Sequence, residues 1–127
     1  MPLATWMKLH LKLKGELRGL LHHYVMDPAS IVAAQALGVQ DGDMVLDMCA
    51  APGGKTLILA ESIPHSGELV SNEPSKPRRD RLMQVIQQYL PRDVRSRVRV
   101  SGLRGGEWAT KKRDFFDRGF GGCALFR

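Results

Sequence analysis

The sequence predicts an α/β domain in which helices flank a parallel β-sheet. Short apolar segments typical of buried strands alternate with longer helical patterns along much of the 127-residue chain. The connections between them are short, which favours strand–helix–strand crossovers. Small or acidic residues follow two of the predicted strands, and ligands of such sheets bind at the carboxyl ends of the strands.

The composition is that of one small basic domain, or of part of one. Apolar residues make up 43% of the chain, and 19 Lys and Arg against 13 Asp and Glu give a net charge of +6. This charge favours nucleic acid or an anionic membrane surface as a partner. No apolar run approaches the roughly 18 residues of a membrane span, so no membrane insertion is expected. The two cysteines, Cys49 and Cys123, indicate a reducing compartment rather than a disulfide framework.

Residues 1–23 form a basic segment whose secondary structure has two possible interpretations. Apolar and polar residues alternate from Met7 to Lys14, which predicts an amphipathic strand, whereas the stretch from Glu16 to His23 also fits a helix. The acid-poor, basic start permits a mitochondrial presequence, although it is rich in Lys and not in the Arg and Ser that are typical of one. Adjacent histidines, His22 and His23, point to different faces of any element and have no Cys or acid nearby, which favours surface positions over a metal site.

A helix is predicted from Asp27-Pro28-Ala29-Ser30 to Gly38, because Asp caps, Pro suits the first turn and Gly ends helices. The turn residues Gln40-Asp41-Gly42-Asp43 follow. Apolar residues from Met44 to Met48 then predict a buried strand around Asp47.

A small-residue turn follows this strand, and the sequence fits a helix from about Gly54 to Ser62. A strand, a glycine turn and a helix start allow the backbone to approach a ligand closely.

The second predicted strand runs from Glu68 to Asn72 and ends at Glu73. A helix follows from a cap at Ser75 to about Leu90. Its apolar face is formed by Leu82, Val85, Ile86 and Tyr89, and its basic face by Arg78, Arg79 and Arg81. Val98 to Val100 is a third predicted strand, and a fourth is predicted to begin within Asp114 to Asp117.

Asp47, the glycine turn and Glu73 are therefore expected to meet in one crevice at the edge of the sheet. An acid placed like Glu73 commonly accepts hydrogen bonds from the ribose hydroxyls of an adenosine-type ligand. The absence of Gly-x-Gly-x-x-Gly disfavours a dinucleotide. Gly54-Lys55-Thr56 matches the end of a Walker-type phosphate loop, but Cys49 stands where its first glycine belongs. A phosphate-loop nucleotide binder remains an alternative.

The stretch from Asp47 to Thr56, Asp-Met-Cys-Ala-Ala-Pro-Gly-Gly-Lys-Thr, resembles the first motif of the Sun-domain RNA cytosine-5 methyltransferases, which use S-adenosylmethionine. The segment from Tyr24 to Ser30 resembles the family's upstream segment, and Asn72-Glu73 with Arg78 resembles its second motif. The resemblance runs from about Tyr24 to Arg118 and is greatest to the branch with mitochondrial ribosomal RNA methyltransferases. It implies part of a Rossmann-like class I methyltransferase fold, incomplete at the C-terminus, and favours a mitochondrial over a cytoplasmic or nuclear location.

The resemblance further implies an S-adenosylmethionine site. The turn from Cys49 to Lys55 would wrap the methionine end and the sugar, Glu73 would hold the ribose, and Arg78 would belong to the same site. Cys49 is not implied as a nucleophile. The implied cofactor-binding residues are Cys49, Ala50, Ala51, Pro52, Gly53, Gly54, Lys55, Glu73, Arg78 and Gly105.

One departure concerns the adenine. The family has Asp-Gly after the third strand, and here Arg104-Gly105 stands in its place. Arginine cannot accept a hydrogen bond from the adenine amine, so the resemblance would require Glu107 to move in.

A second departure concerns catalysis. The family continues after Phe-Asp-Arg with a buried strand and Asp-x-Pro-Cys, and later has Thr-Cys; one cysteine attacks C6 of the cytosine. Here Phe116-Asp117-Arg118 leads into a glycine-rich stretch, 119–127, in which Cys123 has neither a Pro before it nor a base nearby. No catalytic residue and no metal are therefore expected, and activity of this chain is doubtful.

Permitted codons for 119–127, read in a shifted frame, include Val-Leu-Val-Asp-Val-Pro-Cys-Ser. A frame shift after Arg118 is the hypothesis, which transcript sequencing tests.

These interpretations divide the chain into an N-terminal basic segment (1–23), the cofactor-binding part of a methyltransferase domain (24–118) and a divergent tail (119–127). RNA is the expected partner, with rRNA favoured over tRNA; a protein partner and the oligomeric state stay open. Contacts to phosphates would come from Arg78, Arg79, Arg81, Arg92, Arg95, Arg97, Arg99, Lys111, Lys112 and Arg113. Core packing is favoured over base stacking for Trp6, Tyr24 and Trp108. A non-catalytic RNA-binding or scaffold protein is the alternative function.

With about four strands and a glycine-rich tail, marginal stability is expected.

Overall fold

A computed structural model of the chain describes residues 7–10, 20, 23–26, 28–48, 50–63, 66–104, 106–108, 116–121 and 124–126. The helices are α1 (Pro28–Ala36), α2 (Gly54–Ser62), α3 (Lys76–Tyr89) and α4 (Arg92–Arg95). The strands are β1 (Met7–His10), β2 (His23–Met26), β3 (Met44–Asp47), β4 (Glu68–Asn72), β5 (Val98–Ser101), β6 (Arg118–Gly121) and β7 (Ala124–Phe126). Residues 106–108 add a short helical turn.

The main sheet has the order β5-β4-β3-β6-β7. The first four strands are parallel, and β7 pairs antiparallel with β6. The predicted parallel sheet with flanking helices is confirmed. Successive strands add on one side of β3 up to β5, and β6 then adds on its other side, which makes the carboxyl end of β3 a topological switch point.

Both faces of the central strands are buried. Val45 and Leu69 belong to the larger apolar cluster, which includes residues of α1, α2 and α3, whereas Leu46 and Val70 pack with Trp108 in a second, smaller cluster. Because successive side chains of a strand point to opposite faces, this alternation places helices α1 to α3 on one face and the Trp108 cluster on the other. The core position predicted for Trp108 is confirmed, since only 8% of it is exposed.

The predicted helices α1 to α3 form, with one difference in the capping of their ends. Gly38 ends the α1 region with a φ of 61°, as its sequence position predicts. Ser75 precedes α3 as predicted, but its side chain makes no capping hydrogen bond. Instead, its backbone amide donates to Glu73 Oε1 at 3.1 Å. The predicted apolar face of α3 packs inward, and the cap predicted at Asp27 lies outside the described residues.

The N-terminal strand prediction is confirmed over Met7–His10, where β1 pairs antiparallel with β2 in a separate two-stranded sheet. Strand β2 was not predicted, and the helix considered for the stretch ending at His23 is wrong at that residue. Of the stretch from Glu16 to His23, the structure describes Leu20 and His23 alone, so His22 lies outside the described residues. Trp6 lies outside them as well.

The fourth parallel strand begins at Arg118, after the predicted interval Asp114–Asp117. Its position is fixed by a reciprocal contact: the Asp117 amide donates to Met44 O, and the Met44 amide donates to Asp117 Oδ2 at 2.7 Å. Besides β2, two more elements were not predicted. Helix α4 has only four residues, too few for a periodic signal, and β7 lies in the glycine-rich tail.

Arg118 also connects β6 to the segment that precedes β3. Its side chain is 14% exposed, with Nε 2.5 Å from Asp43 Oδ2, and Nη1 donates to Leu37 O at 3.2 Å. The carbonyl of Leu37 lies just beyond the end of α1. One guanidinium therefore ties three chain segments together at the amino end of the sheet.

Among the described helices, none has the length and apolar character needed to cross a bilayer.

Candidate functional site

The turn between β3 and α2 lies at the switch point of the sheet. The Ala50 amide donates to Asn72 O at 3.0 Å, which attaches the turn to the end of the neighbouring strand β4. The Ala51–Pro52 peptide bond is cis, and Gly53 has a φ of 123°, a conformation that L side chains rarely adopt. Helix α2 begins directly afterwards, at Gly54.

Neighbouring side chains closely approach the Cβ positions of both glycines of the turn. A Cβ on Gly53 would lie 2.9 Å from Val85 Cγ1 of α3. One on Gly54 would lie 3.1 Å from atoms of Tyr24 and of Met26. The turn is therefore held between α3 on one side and β2 on the other, which explains the requirement for two small residues in succession.

Glu73 is the buried acid of the site, with 3% of the residue exposed. Its Oε1 accepts the Ser75 amide, and its Oε2 lies 3.8 Å from Arg78 Nη2. The same Arg78 nitrogen donates to Ala51 O at 3.3 Å. Arg78 thus bridges the acid after β4 and the turn after β3. An ionised carboxylate offers about four lone-pair positions, so Glu73 retains capacity to accept hydroxyl donors from a ligand.

A buried polar cluster links the start of α2 to strands β3 and β4 next to the turn. Thr56 Oγ1 lies 3.0 Å from Ser71 Oγ and donates to Asp47 Oδ2 at 3.4 Å. All three residues are fully buried. Asp47 therefore helps to hold the start of α2 against β3, a structural contact that its position at the end of an apolar strand did not reveal.

A cavity of about 210 Å³ adjoins the turn on the side of β2 and α1. It is lined by Tyr24, Met26, Ser30, Ala50, Ala51, Pro52, Gly54 and Lys55. Burial raises the pKa of Tyr24 above its ordinary value, although the charge of Arg81 opposes the shift. The ring of Tyr24 packs edge-on against Tyr89, with centroids 5.2 Å apart. Tyr24 thus combines core packing with a position at the cavity wall.

The loop after β5 has its own internal contact. The Arg104 amide donates to Glu107 Oε2 at 2.6 Å, and the Glu107 amide donates to Arg104 O at 2.9 Å. Glu107 is thus held beside the position where the family pattern would place an acid. Its carboxylate contacts the backbone there.

The structure brings together several, but not all, of the predicted cofactor residues. Ala51, Glu73 and Arg78 meet directly, and Lys55 lies with the turn along the cavity. Gly53 instead packs against α3. Cys49 and Gly105 lie outside the described residues, as do Cys123, Lys111, Lys112 and Arg113. Within the described part of the chain, no three His, Cys, Asp or Glu side chains gather to hold a metal ion.

Comparison with known proteins gives a family for this arrangement. The sequence profile of the 16S rRNA methyltransferase RsmB/F family matches residues 34–119, about two thirds of the chain. The chain belongs to the RsmB/F methyltransferase family. The resemblance found in the motifs at Asp47–Thr56 and Asn72-Glu73 is thereby confirmed.

Two relatives show which members of the RsmB/F family this chain is similar to. The 5-cytosine rRNA methyltransferase NSUN4 of Bos taurus is 46% identical over 102 residues, covering 79% of this chain and 26% of the relative. The mitochondrial tRNA (cytosine(34)-C(5))-methyltransferase of Mus musculus is 35% identical over 99 residues, covering 78% of this chain and 28% of the relative. The chain therefore spans about a quarter of the length of these RsmB/F relatives.

A solved structure agrees on the fold. NSun6 from Pyrococcus horikoshii superimposes with a TM-score of 0.60 over 76% of this chain and 24% of that chain, at 23% sequence identity. The chain has the Rossmann-like class I methyltransferase fold that the resemblance implied, with four parallel strands of its sheet in place.

Proposed function

We propose that this chain forms the S-adenosylmethionine-binding part of an RNA cytosine-5 methyltransferase, with rRNA the favoured substrate over tRNA. Membership of the RsmB/F family supports the reaction class. The observation that carries the proposal is the Arg78 bridge between Ala51 O and Glu73 at the switch point of the sheet. This bridge joins the two segments that a nucleoside ligand would have to contact together.

The residues present suit an adenosine-type cofactor. Gly53 and Gly54 let α3 and β2 pack closely against the turn, which holds its backbone beside the end of β4. The buried carboxylate of Glu73 would accept hydrogen bonds from the ribose hydroxyls, and Arg78 would hold that carboxylate in place. Lys55 and Tyr24 would border the methionine end from the adjoining cavity. When bound, the cofactor supplies an electrophilic methyl group.

No residue is assigned to methyl transfer itself. Both cysteines lie outside the described residues, and neither stands in an Asp-x-Pro-Cys or Thr-Cys motif. The second candidate function is a non-catalytic RNA-binding or scaffold protein with the same fold, which is favoured by the glycine-rich residues 119–127 standing where the resemblance would place Asp-x-Pro-Cys. The phosphate-loop alternative has no support from the RsmB/F family match.

Titration calorimetry with S-adenosylmethionine, S-adenosylhomocysteine and ATP tests the proposal. We expect both adenosyl ligands to bind and ATP not to bind. Binding of ATP alone would replace the proposal with a phosphate-loop function. Methylation of an rRNA or tRNA fragment would support an enzyme, whereas cofactor binding without turnover would support the scaffold.

A pair of variants on β4 sharpens this test. Glu73→Gln removes the charge at the carboxyl end of the strand, and we expect an affinity loss of about 10- to 100-fold, because hydrogen bonds to a charged group contribute about 1.5–3 kcal/mol. Glu68→Gln is the matched control, because this acid stands at the opposite end of β4 and pairs with exposed Arg99. Equal effects of the two substitutions would contradict the proposed site.

A mitochondrial location is the favoured extension of this proposal over a cytoplasmic or nuclear one. It is supported by similarity to a relative whose name places it in mitochondria. A fluorescent fusion of the chain, imaged with a mitochondrial marker, tests it. Exclusion of the fusion from mitochondria would leave the binding proposal intact and remove the location.

A further inference from the structure

Asn72, the last residue of β4, is a buried amide with all its hydrogen-bonding groups occupied. It is 1% exposed. Its Nδ2 donates to Met48 O at 3.2 Å and to Leu103 O at 2.9 Å. Its Oδ1 accepts from Ser101 Oγ at 2.8 Å and from the Leu103 amide at 2.9 Å. A side-chain amide has two donor hydrogens and about two acceptor positions, so this inventory is complete.

These bonds connect the segments that follow β3 and β5, two strands that are not neighbours in the sheet. Met48 begins the turn after β3, and Leu103 lies in the loop after β5. The backbone carbonyl of Asn72 adds a third link, since it accepts the Ala50 amide. One residue therefore sets the spacing between the turn on one side of β4 and the loop on the other.

Few other side chains could make this connection. Aspartate has the same shape but no donors when ionised, so one of its oxygens would face the carbonyls of Met48 and Leu103. An apolar residue would leave the half-buried Leu103 amide and Ser101 hydroxyl without their acceptor, which is unfavourable for polar groups partly shielded from water. The position requires a short group with two donors and two acceptors, which describes asparagine.

We propose that Asn72 is a positioning residue that fixes the distance between the two loops of the cofactor site. This inference rests on the proposed function and on the family resemblance, which implies that the turn after β3 holds the methionine end and that the loop after β5 lies at the adenine. Asn72 acts through these loops and is separate from Glu73, the group proposed to touch the ribose. A ligand that bridges both loops is sensitive to their separation, because its hydrogen bonds to each loop weaken when donor–acceptor distances and angles depart from their preferred values.

The test compares Asn72→Asp with a variant of the full chain that is destabilised elsewhere. Leu59→Ala is suitable, because Leu59 is fully buried in α2 and lies outside both loops. Calorimetry with S-adenosylhomocysteine is run at a temperature where both variants are fully folded by circular dichroism. We expect Asn72→Asp to lose at least tenfold in affinity and Leu59→Ala to lose less than threefold. Equal losses would reduce Asn72 to a structural residue and overturn the proposal.

Amide hydrogen exchange of the ligand-free chain gives a second readout that a general loss of stability would not produce. We expect Asn72→Asp to accelerate exchange in residues 48–51 and 101–104 more than in β3 and β4. Unchanged exchange in the two loops would overturn the proposal whatever the affinity. If the wild-type chain does not bind S-adenosylhomocysteine at all, the proposed function fails instead, and the exchange data still decide whether Asn72 connects the loops.

Discussion

Gly53 illustrates how single residues of this chain are constrained by position rather than by chemistry. Its φ of 123° lies in a region that favours glycine, and α3 approaches it closely. Gly42, in contrast, has a φ of 80° but nothing within 4 Å of the Cβ position. The two glycines therefore separate the cost of backbone conformation from the cost of a steric clash.

We expect Gly53→Ala to lower the free energy of unfolding by about 2–5 kcal/mol, the sum of backbone strain and overpacking against Val85. Gly42→Ala is the control and should cost about 1–2 kcal/mol, because it introduces strain alone. Urea unfolding followed by circular dichroism measures both. A Gly53→Ala variant no less stable than Gly42→Ala would show that the approach of α3 imposes no constraint.

Asp43 is the residue whose charge ties stability to pH. The Gln40 amide and then Arg118 lower the pKa of its carboxyl below the ordinary value of 3.8, against the opposing effect of burial. Because the folded-state pKa lies below the unfolded one, this stabilisation is fully present above the unfolded value and is lost as the pH falls through the folded value.

Asp43→Asn should therefore lower stability at neutral pH and weaken its dependence on pH in acid. We expect the free energies of unfolding of wild type and variant to converge as the pH falls from about 5 to about 3. Urea titrations across this range provide the measurement. Parallel curves would mean that the Asp43 carboxyl has the same pKa in both states.

At the scale of elements, β6 is joined to the rest of the domain by side chains as well as by its strand pairing with β3. Arg118 pairs with Asp43 and contacts the carbonyl that follows α1, while Asp117 pairs with the start of β3. These contacts lie at the amino end of the sheet, opposite the candidate site. Strand β6 can thus be weakened without altering the residues around Glu73.

We expect Arg118→Ala to destabilise the chain by about 2–4 kcal/mol, because it leaves the largely buried Asp43 carboxylate without its ion-pair partner. Arg99→Ala serves as the matched control. Arg99 also pairs with an acid, Glu68, but its side chain is 74% exposed, and exposed pairs contribute about 0–1 kcal/mol. Thermal unfolding compares the two, and similar losses would refute a distinct role for the buried pair.

The whole molecule carries a net charge of +6, and the described part of its surface includes exposed arginines on α3 and α4. If RNA is the partner, counterion release should make binding weaken steeply with salt. Because phosphate contacts carry no sequence information, this term would contribute affinity and leave the choice of cytosine to other residues.

We expect the affinity of the chain for a single-stranded RNA to fall linearly on a log–log plot against salt, with a slope of about −0.7 for each phosphate contact. The double substitution Arg81→Gln and Arg92→Gln, on exposed positions, should make the slope shallower. Asp93→Asn, also exposed and on α4, is the control: it removes a negative charge and no phosphate contact, so it should not make the slope shallower. Fluorescence anisotropy measures the slopes, and binding that is insensitive to salt would exclude an electrostatic RNA surface.

Local sequence patterns were sufficient to predict the α/β class, the three helices α1 to α3 and the strands β3, β4 and β5. These elements have local signals that coincide with burial: a proline at the start of α1, a glycine beyond its end, and apolar runs followed by small or acidic residues. The motif from Asp47 to Thr56 also identified the family, because a ten-residue pattern of this kind is highly specific. The cofactor role of its residues, and the division into three segments, stay predictions.

The pairing of β2, β6 and β7 and the contacts between polar groups became evident from the folded chain alone. A strand such as β6, which contains glycines, has little preference of its own and is placed by β3 and by the Arg118–Asp43 pair. Asn72 looks like any polar residue at the end of a strand, and its four partners lie 24 to 31 positions away in the sequence. Such contacts depend on the packing of separate segments, for which local sequence patterns carry no signal.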